Sequence, residues 1–84
     1  MMHTASFLAG KRVLTVDDSS TIRTFIRGIL GAYGARVDEA ETGAAGLEHA
    51  RSGDYDLILL DLVLPDMDGI SVLREIRQTT ERSA

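Results

Sequence analysis

Three aspartates follow runs of residues that predict buried β-strands. Asp17 and Asp18 come directly after a short β-branched run, and Asp61 comes after four consecutive apolar residues. Because the carboxyl ends of parallel strands lie at one edge of a sheet, where open α/β sheets place their sites, we expect the three carboxylates to lie close together. Crowded carboxylates repel one another unless a cation is present, and oxygen ligands without His or Cys suit Mg²⁺ or Mn²⁺. The spacing therefore indicates a divalent-cation site.

A cation site built from aspartates suggests phosphoryl chemistry. An aspartate beside a bound metal ion can act as a nucleophile toward phosphorus and form an aspartyl phosphate, while Mg²⁺ offsets charge on the transferring phosphoryl group. The alternative interpretation of Asp17 and Asp18 is helix capping, because the good N-cap residues Ser19 to Thr21 follow them. Asp61, at a matching strand end, favours the metal site over simple capping.

The elements that must position these aspartates follow the order βαβαβα. Short strands are predicted at residues 13–16, 35–40 and 56–61. The second is polar on one face and is expected at a sheet edge, whereas the third is expected to be buried on both faces. Short connections between alternating strands and helices predict a parallel sheet with right-handed crossovers.

Apolar residues at helical spacing predict the three helices. The first helix has a stripe that we interpret as core packing, formed by Ile22, Phe25, Ile26, Ile29, Leu30 and Tyr33. The second is expected to turn three residues inward: Ala44, Leu47 and Ala50. The third is marked by Ile70, Leu73 and Ile76. A polar tail is expected from Thr79 to Ala84.

Most other polar residues are interpreted as structural or solvated. In the loop before the third helix, Pro65 and Gly69 shape the chain, and Asp66 or Asp68 is expected to cap the helix. Asp56 opens a strand and is interpreted as structural. Six basic or imidazole side chains are expected at the solvated surface: His3, His49, Arg23, Arg27, Arg74 and Arg77.

The composition excludes several classes of function. The 84 residues carry 9 Lys and Arg against 13 Asp and Glu, and this net charge of −4 gives no bulk attraction to nucleic acid or an anionic membrane. The absence of cysteine excludes disulfides and thiolate chemistry. No apolar run approaches the ~20 residues of a membrane span, and the N-terminal residues lack the apolar core of a secretory signal peptide, so a cytoplasmic location is expected.

The chain is predicted to divide into two parts. Residues 1–10 are predicted as an N-terminal tail and residues 11–84 as a partial domain.

The sequence resembles the response-regulator receiver domains of two-component signalling, which include chemotaxis regulators. The segments that carry the resemblance are VLTVDDS at 13–19, EA-TGAAGL across 39–47, LILLD at 57–61 and LPDMDG at 64–69. The resemblance extends over residues 11–78. It implies half of a flavodoxin-like fold with strand order 2-1-3, and a phosphorelay module that is a signalling protein and not a conventional enzyme.

The same resemblance implies roles for individual residues. Asp61 would be the phosphoacceptor, and a histidine kinase, a phosphotransfer protein or a small phosphodonor would supply the phosphoryl group. Asp18 would bind Mg²⁺ directly, Asp17 mainly through water, and the main-chain carbonyl of Val63 would supply another ligand. At most, the chain would catalyse its own phosphorylation and dephosphorylation.

The sequence contains three βα units, whereas receivers of this family have five. The resemblance implies that the Ser or Thr after strand four, the Lys after strand five and the usual output surface belong to the later units. A domain truncated in this way leaves the third strand with an open apolar edge, which favours pairing with another chain. A homodimer through that edge is therefore expected.

Two alternative functions stay open at this point. A chain that has lost phosphoryl turnover would act as a dimerisation or interaction module. A phosphatase of the haloacid-dehalogenase type also uses an Asp nucleophile after a buried strand, but it needs a second Asp two residues later, where this sequence has Val63.

Overall fold

The computed structural model describes residues 7–83 and forms a three-stranded parallel sheet with three helices. In chain order the elements are β1 (Arg12–Val16), α1 (Ser20–Ala32), β2 (Arg36–Ala40), α2 (Gly43–Ser52), β3 (Leu57–Leu60) and α3 (Gly69–Ser83). The sheet order is β2-β1-β3. This confirms the predicted α/β class, the 2-1-3 order and the position of β2 at an edge.

The register of the sheet brings the two acid-bearing strand ends together. Val16, the last residue of β1, pairs with Ala40 of β2 and Leu60 of β3. The Asp61 amide then donates to the Val16 carbonyl at 2.9 Å, and the Asp17 amide donates to the Ala40 carbonyl at 3.0 Å. Because the strands end level with one another, Asp17 and Asp61 leave the sheet side by side.

Local sequence explains where the first two helices begin and how α1 ends. The hydroxyl oxygens of Ser19 and Thr42 accept hydrogen bonds from the Ile22 and Ala45 amides, at 3.2 and 3.0 Å, and so cap α1 and α2. Beyond the end of α1, Gly34 has a φ of +89°, which a side chain would strain. The Gly34 carbonyl also accepts from the Gly10 amide at 2.9 Å, so residues near Gly10 are joined to this turn.

One face of the sheet carries the hydrophobic core. The chain crosses from β1 to β2 through α1, and then in the opposite direction from β2 to β3 through α2. Because both crossovers are right-handed, α1 and α2 lie on opposite faces of the sheet. The core cluster lies on the α2 face and contains Leu14, Val16, Ala40, Leu47, Leu64 and Val72. The α2 helix approaches β1 closely, because a Cβ on Gly46 would lie 2.9 Å from a methyl group of Val16. Small residues on α2 therefore let the helix pack directly on the strand.

On the opposite face Val13 and Thr15 of β1 are buried, but most of the apolar stripe of α1 is exposed, and this corrects the prediction that the α1 stripe is core packing. No residue of α1 is buried, and Phe25 is 65% exposed. Ile22, Ile29 and Tyr33 are exposed as well, while Ile26 and Leu30 are half-buried. A helical period shows only that these residues share a face. In residues 7–83 no element covers the outer part of that face.

The structure corrects three other details of the prediction. Ala44 is exposed, because α2 turns Gly43, Gly46 and Leu47 toward the sheet. The third strand is not buried on both faces, since Leu57 is 42% exposed and the rest of β3 is half-buried. The predicted third helix is confirmed, and among its residues 69–78 Val72 is fully buried, whereas Ile70 and Leu73 are exposed. The backbone stays helical as far as Ser83, where a polar tail was predicted.

None of the helices within residues 7–83 combines the length and the apolar character that a membrane span needs. The predicted N-terminal tail falls largely on residues 1–6, which lie outside the described part of the chain, as does His3. The boundary between the tail and the partial domain therefore stays a prediction.

Candidate functional site

The structure brings the three sequence-predicted aspartates into one cluster. Asp17, Asp18 and Asp61 each present a carboxylate oxygen, and these oxygens all lie within 4.8 Å of one another. Asp17 and Asp61 are half-buried, whereas Asp18 is exposed. The cluster lies at the carboxyl ends of β1 and β3, where neighbouring parallel strands end at the same edge.

Short local hydrogen bonds orient two of the carboxylates. Oδ1 of Asp17 accepts from the Ser19 amide at 2.9 Å, and Oδ1 of Asp61 accepts from the Val63 amide at 3.1 Å. Each contact reaches two residues along the chain, as in an Asx-turn. In both residues, Oδ2 makes none of these contacts and is available for a ligand. The main-chain carbonyl of Val63 as a further ligand stays a prediction.

The oxygens present fit a small divalent cation. Mg²⁺ prefers oxygen ligands at 2.0–2.1 Å and usually keeps several waters, so two or three protein ligands around an open side are sufficient. The cluster offers three carboxylates without sulfur or imidazole, which is the donor set that selects Mg²⁺ or Mn²⁺. Because Asp18 is exposed and the other two carboxylates are half-buried, water can reach the cluster.

A cavity of about 260 Å³ adjoins the cluster beneath α1. It is lined by Thr15, Val16, Asp17, Ile26, Leu59, Leu60 and Asp61. The carboxylates of Asp17 and Asp61 therefore have an apolar wall on one side and solvent on the other. A partly apolar surrounding strengthens the interaction of a carboxylate with a cation.

Close backbone packing holds the loop that follows Asp61. A Cβ on Gly69 would lie 2.5 Å from the Cα atom of Leu62 and 2.6 Å from the Asp61 carbonyl oxygen. The Gly69 amide also donates to the Leu62 carbonyl at 2.9 Å. Only glycine allows the start of α3 to approach this backbone so closely. Gly69 thus sets the path of the chain directly after Asp61.

The two other aspartates of this loop cap helices, as expected for structural residues. Asp68 accepts from the Ser71 amide at 2.8 Å at the start of α3, and this bond lowers the pKa of Asp68. Asp66 accepts from the Ala44 and Gly43 amides at 3.0 and 2.7 Å. These bonds lower the pKa of Asp66 and tie the loop to the first turn of α2. The prediction did not foresee that Asp66 caps a different helix.

Arg23 and Arg27 were predicted as solvated, and the structure corrects this for Arg23. Its side chain is only 14% exposed, with Nε 3.0 Å from Oε1 of Glu39 and Nη1 2.6 Å from the Asp17 carbonyl oxygen. Arg27 contacts the other oxygen of Glu39 at 2.8 Å but is 65% exposed. The bonds from Arg27 and Arg23 lower the pKa of Glu39. The sequence feature that could have indicated this contact is Glu39, because alternation along β2 places its carboxylate on the face of the sheet that carries α1.

A second polar cluster lies on the α2 face of the sheet. The Tyr55 hydroxyl lies 2.5 Å from Oδ2 of Asp38 and 3.4 Å from Nδ1 of His49, and the Arg12 guanidinium stacks 4.9 Å from the Tyr55 ring centroid. His49 is thus half-buried, not solvated as predicted. Asp56 is structural, as expected, since it accepts from the Arg12 amide at 2.8 Å.

Comparison with known proteins identifies the family. Residues 13–84 match the model of the response regulator receiver domain. The KDP operon transcriptional regulatory protein KdpE of Escherichia coli is 52% identical over 66 residues, which are 79% of this chain and 29% of that protein. The chain therefore spans less than a third of the length of this relative.

Solved structures agree in fold. The response regulator protein TrrA of Thermotoga maritima, solved in complex with Mg²⁺-BeF, has a TM-score of 0.81 and 39% identity over 84% of this chain and 62% of its own. The receiver domain of the histidine kinase CKI1 from Arabidopsis thaliana has a TM-score of 0.87 and 31% identity, over 95% and 63% of the two chains. Receiver domains are signalling modules that generally bind Mg²⁺ through an acidic pocket. With its acidic cluster, its 2-1-3 sheet and these relatives, the chain belongs to the response regulator receiver domain family.

Proposed function

We propose that this chain is a phosphoacceptor module in which Asp61 receives a phosphoryl group. Mg²⁺, or Mn²⁺ in its place, would be bound by Asp17, Asp18, Asp61 and the main-chain carbonyl of Val63. The observation that carries the proposal is the convergence of three carboxylates within 4.8 Å at two adjacent strand ends. The complex of the related TrrA protein with Mg²⁺-BeF supports the same chemistry for this chain.

The transfer needs an oriented nucleophile and a means of offsetting charge. An oxygen of the Asp61 carboxylate attacks phosphorus, a P–O bond forms, and the leaving group departs with the electron pair of the bond that breaks. The Val63 amide donates to Oδ1 of Asp61 and so orients the carboxylate for the attack. The bound metal ion supplies charge neutralisation for the phosphoryl oxygens. The half-exposed position of Asp61 gives a donor access to it.

The proposed donor is the phosphohistidine of a histidine kinase or phosphotransfer protein, or a small acyl phosphate. The similarity to the receiver domain of a histidine kinase favours a histidine-based partner. With this donor, the imidazole nitrogen is the leaving group. The proposal limits catalysis to the chain's own phosphorylation and dephosphorylation.

Phosphorylation by acetyl phosphate tests this function directly. Intact-mass spectrometry after acid quenching should detect one added phosphoryl group per chain with Mg²⁺, and none when EDTA removes it. Asp61→Asn should abolish the gain, while Asp18→Asn should require far more Mg²⁺ for the same gain. The matched control is Asp54→Asn, which removes an exposed aspartate outside the cluster and should behave as the wild type.

Two results would contradict the proposal. Equal phosphate incorporation in the wild type and in Asp61→Asn would mean that another residue is the acceptor. No incorporation by a folded wild-type chain, even with saturating Mg²⁺ and donor, would mean that these residues do not form a working phosphoacceptor site.

A second candidate function is homodimerisation through β3. Within residues 7–83, β3 pairs with β1 alone, so its other edge is unpaired, and Leu57 on this strand is 42% exposed. Sedimentation velocity over a range of micromolar concentrations tests it. A dimer that Leu57→Lys dissociates would support edge pairing, because lysine discourages strand addition. A monomer at every concentration would contradict it.

A further inference from the structure

We propose that Arg23 is a positioning residue for the cation site, acting through the main chain of Asp17. This inference rests on the proposed function, because it assigns a residue that keeps the same site in shape. Arg23 belongs to α1, Glu39 to β2, and Asp17 to the end of β1. One side chain therefore joins three elements at the point where the acidic pair begins.

The contacts of Arg23 are short and partly shielded from water. Its Nη1 donates to the Asp17 carbonyl oxygen at 2.6 Å, and its Nε donates to Oε1 of Glu39 at 3.0 Å. With the side chain 14% exposed and that of Glu39 25% exposed, solvent competes little for these bonds. The Asp17 amide is held on the other side by the Ala40 carbonyl at 3.0 Å. The Asp17 backbone is therefore fixed at both its N–H and its C=O.

The position of the Asp17 backbone determines where the carboxylates of Asp17 and Asp18 lie. Asp17 and Asp18 are consecutive, so the peptide group that joins them contains the carbonyl oxygen to which Arg23 donates. A rotation of that peptide would move the carboxylate of Asp18, whose side chain is exposed. Groups that orient metal ligands in this indirect way commonly change metal affinity about 10- to 100-fold when removed.

Arginine suits this role better than lysine. The planar guanidinium presents several N–H groups in a fixed fork, so it can bond the Glu39 carboxylate and the Asp17 carbonyl at the same time. Lysine would keep the positive charge but is a single flexible point charge. A comparison of arginine with lysine at position 23 therefore separates the contribution of geometry from that of charge.

Charge and geometry predict opposite signs for the loss of Arg23. A cation beside a cation site repels Mg²⁺, so neutralising Arg23 would tighten binding if charge alone mattered. If Arg23 orients the ligands, the same change weakens binding. Arg27 is a matched control, because it pairs with the same Glu39 at 2.8 Å but is 65% exposed and makes none of these contacts with Asp17.

The test measures Mn²⁺ affinity by electron paramagnetic resonance, which reports free Mn²⁺ directly. Four chains are compared under conditions where circular dichroism reports them folded: wild type, Arg23→Met, Arg23→Lys and Arg27→Met. We expect Arg23→Met to raise the Kd about 10-fold and Arg23→Lys to raise it by a smaller factor. Arg27→Met should stay within about twofold of the wild type, as for an exposed ion pair.

The possible results distinguish a failure of the positioning role from a failure of the proposed function. An unchanged or lowered Kd in Arg23→Met overturns the positioning role while leaving the proposed function intact. A Kd in Arg23→Lys equal to the wild type, with a raised Kd in Arg23→Met, would support the positioning role but overturn the requirement for the guanidinium fork, because lysine would then hold the Asp17 carbonyl equally well. Failure of the folded wild type to bind Mn²⁺ would overturn the proposed function itself, and this inference with it.

A measurement on the unaltered chain covers the case in which Arg23 variants do not fold. The guanidinium N–H signals of Arg23, whose Nη1 group donates to the Asp17 carbonyl, should shift in ¹H–¹⁵N NMR spectra when Mg²⁺ is added, whereas those of Arg27, whose guanidinium donates within residues 7–83 to Glu39 only, should not. An Arg23 signal that does not respond to saturating Mg²⁺ would contradict the coupling.

Discussion

The two faces of the sheet differ in how much of their apolar surface is covered. On the α2 face, Leu14 and Val16 of β1 are fully buried with Val72 of α3. On the α1 face, the helix presents an equally regular apolar stripe, yet Phe25 is 65% exposed and no residue of α1 is buried. On the α1 face the buried residues, Val13 and Thr15, belong to the strand, whereas on the α2 face the helix residues Leu47 and Val72 are buried as well. The difference teaches that periodicity defines a face, while the neighbouring elements decide whether it becomes a core.

The candidate site lies at the border between these two faces. Asp17 and Asp61 line the cavity under α1, but the loop after Asp61 packs on the α2 face through the buried Leu64. The site is therefore anchored by the well-packed half of the molecule and opens toward the less covered half. Changes on the two faces should consequently have unequal effects on stability.

The largest expected difference is between truncations on the two faces. Leu14→Ala should lower the free energy of unfolding by about 2 to 5 kcal/mol, because it leaves a cavity in the core. Phe25→Ala should cost less than about 1 kcal/mol, because most of that side chain is already in contact with solvent. Urea unfolding followed by circular dichroism measures both. Equal losses would contradict the difference in burial.

A pair of glycine substitutions should change stability in opposite directions. A Cβ on Gly46 of α2 would lie 2.9 Å from Val16, so Gly46→Ala should destabilise by about 1 to 3 kcal/mol. A Cβ on Gly28 of α1 meets nothing within 4 Å, so Gly28→Ala should stabilise by about 0.5 to 1 kcal/mol through helix propensity. Thermal melting of both variants tests the sign. A destabilising Gly28→Ala would mean that α1 is packed more closely than described.

The smallest expected effect concerns pH. The hydrogen bond from Tyr55 lowers the pKa of Asp38 below its usual value of 3.8. The unfolded chain then binds more protons than the folded one, so this contribution to stability is present above 3.8 and is lost as the pH falls through the folded pKa. Tyr55→Phe should therefore weaken the loss of stability that urea titrations measure as the pH falls below about 4.

Asp54→Asn, which alters an exposed aspartate elsewhere, provides the control for this pH effect. It should leave most of the acid dependence of unfolding in place. An acid dependence that is the same in Tyr55→Phe as in the wild type would contradict the role of the Tyr55–Asp38 bond.

Much of the fold could be predicted because it depends on local patterns. Capping residues, apolar runs and short connections predicted the βαβαβα order, and the resemblance to receiver domains implied the strand order 2-1-3. The convergence of Asp17, Asp18 and Asp61 could also be anticipated, since parallel strands end at one edge. Apart from the strand order, these features require knowledge of single elements and of general rules only.

The features that the prediction missed depend on contacts between distant elements. Arg23 looked solvated because its partners, Glu39 and the Asp17 carbonyl, belong to other elements. Ala44 was expected inward, but the fit of Gly46 against Val16 sets the rotation of α2. The α1 stripe was interpreted as core because a sequence pattern contains no information on what covers a face. Each miss is a matter of tertiary packing.

The most direct test of the central claim identifies the phosphorylated residue chemically. After treatment with acetyl phosphate and Mg²⁺, borohydride reduces an aspartyl phosphate to a primary alcohol, and peptide mass spectrometry then locates the altered residue. The account predicts that the change occurs at Asp61 and at none of the other aspartates, and that EDTA prevents it. Modification at Asp17, Asp18 or Asp66, or at no residue in a folded chain that binds Mg²⁺, would contradict the assignment.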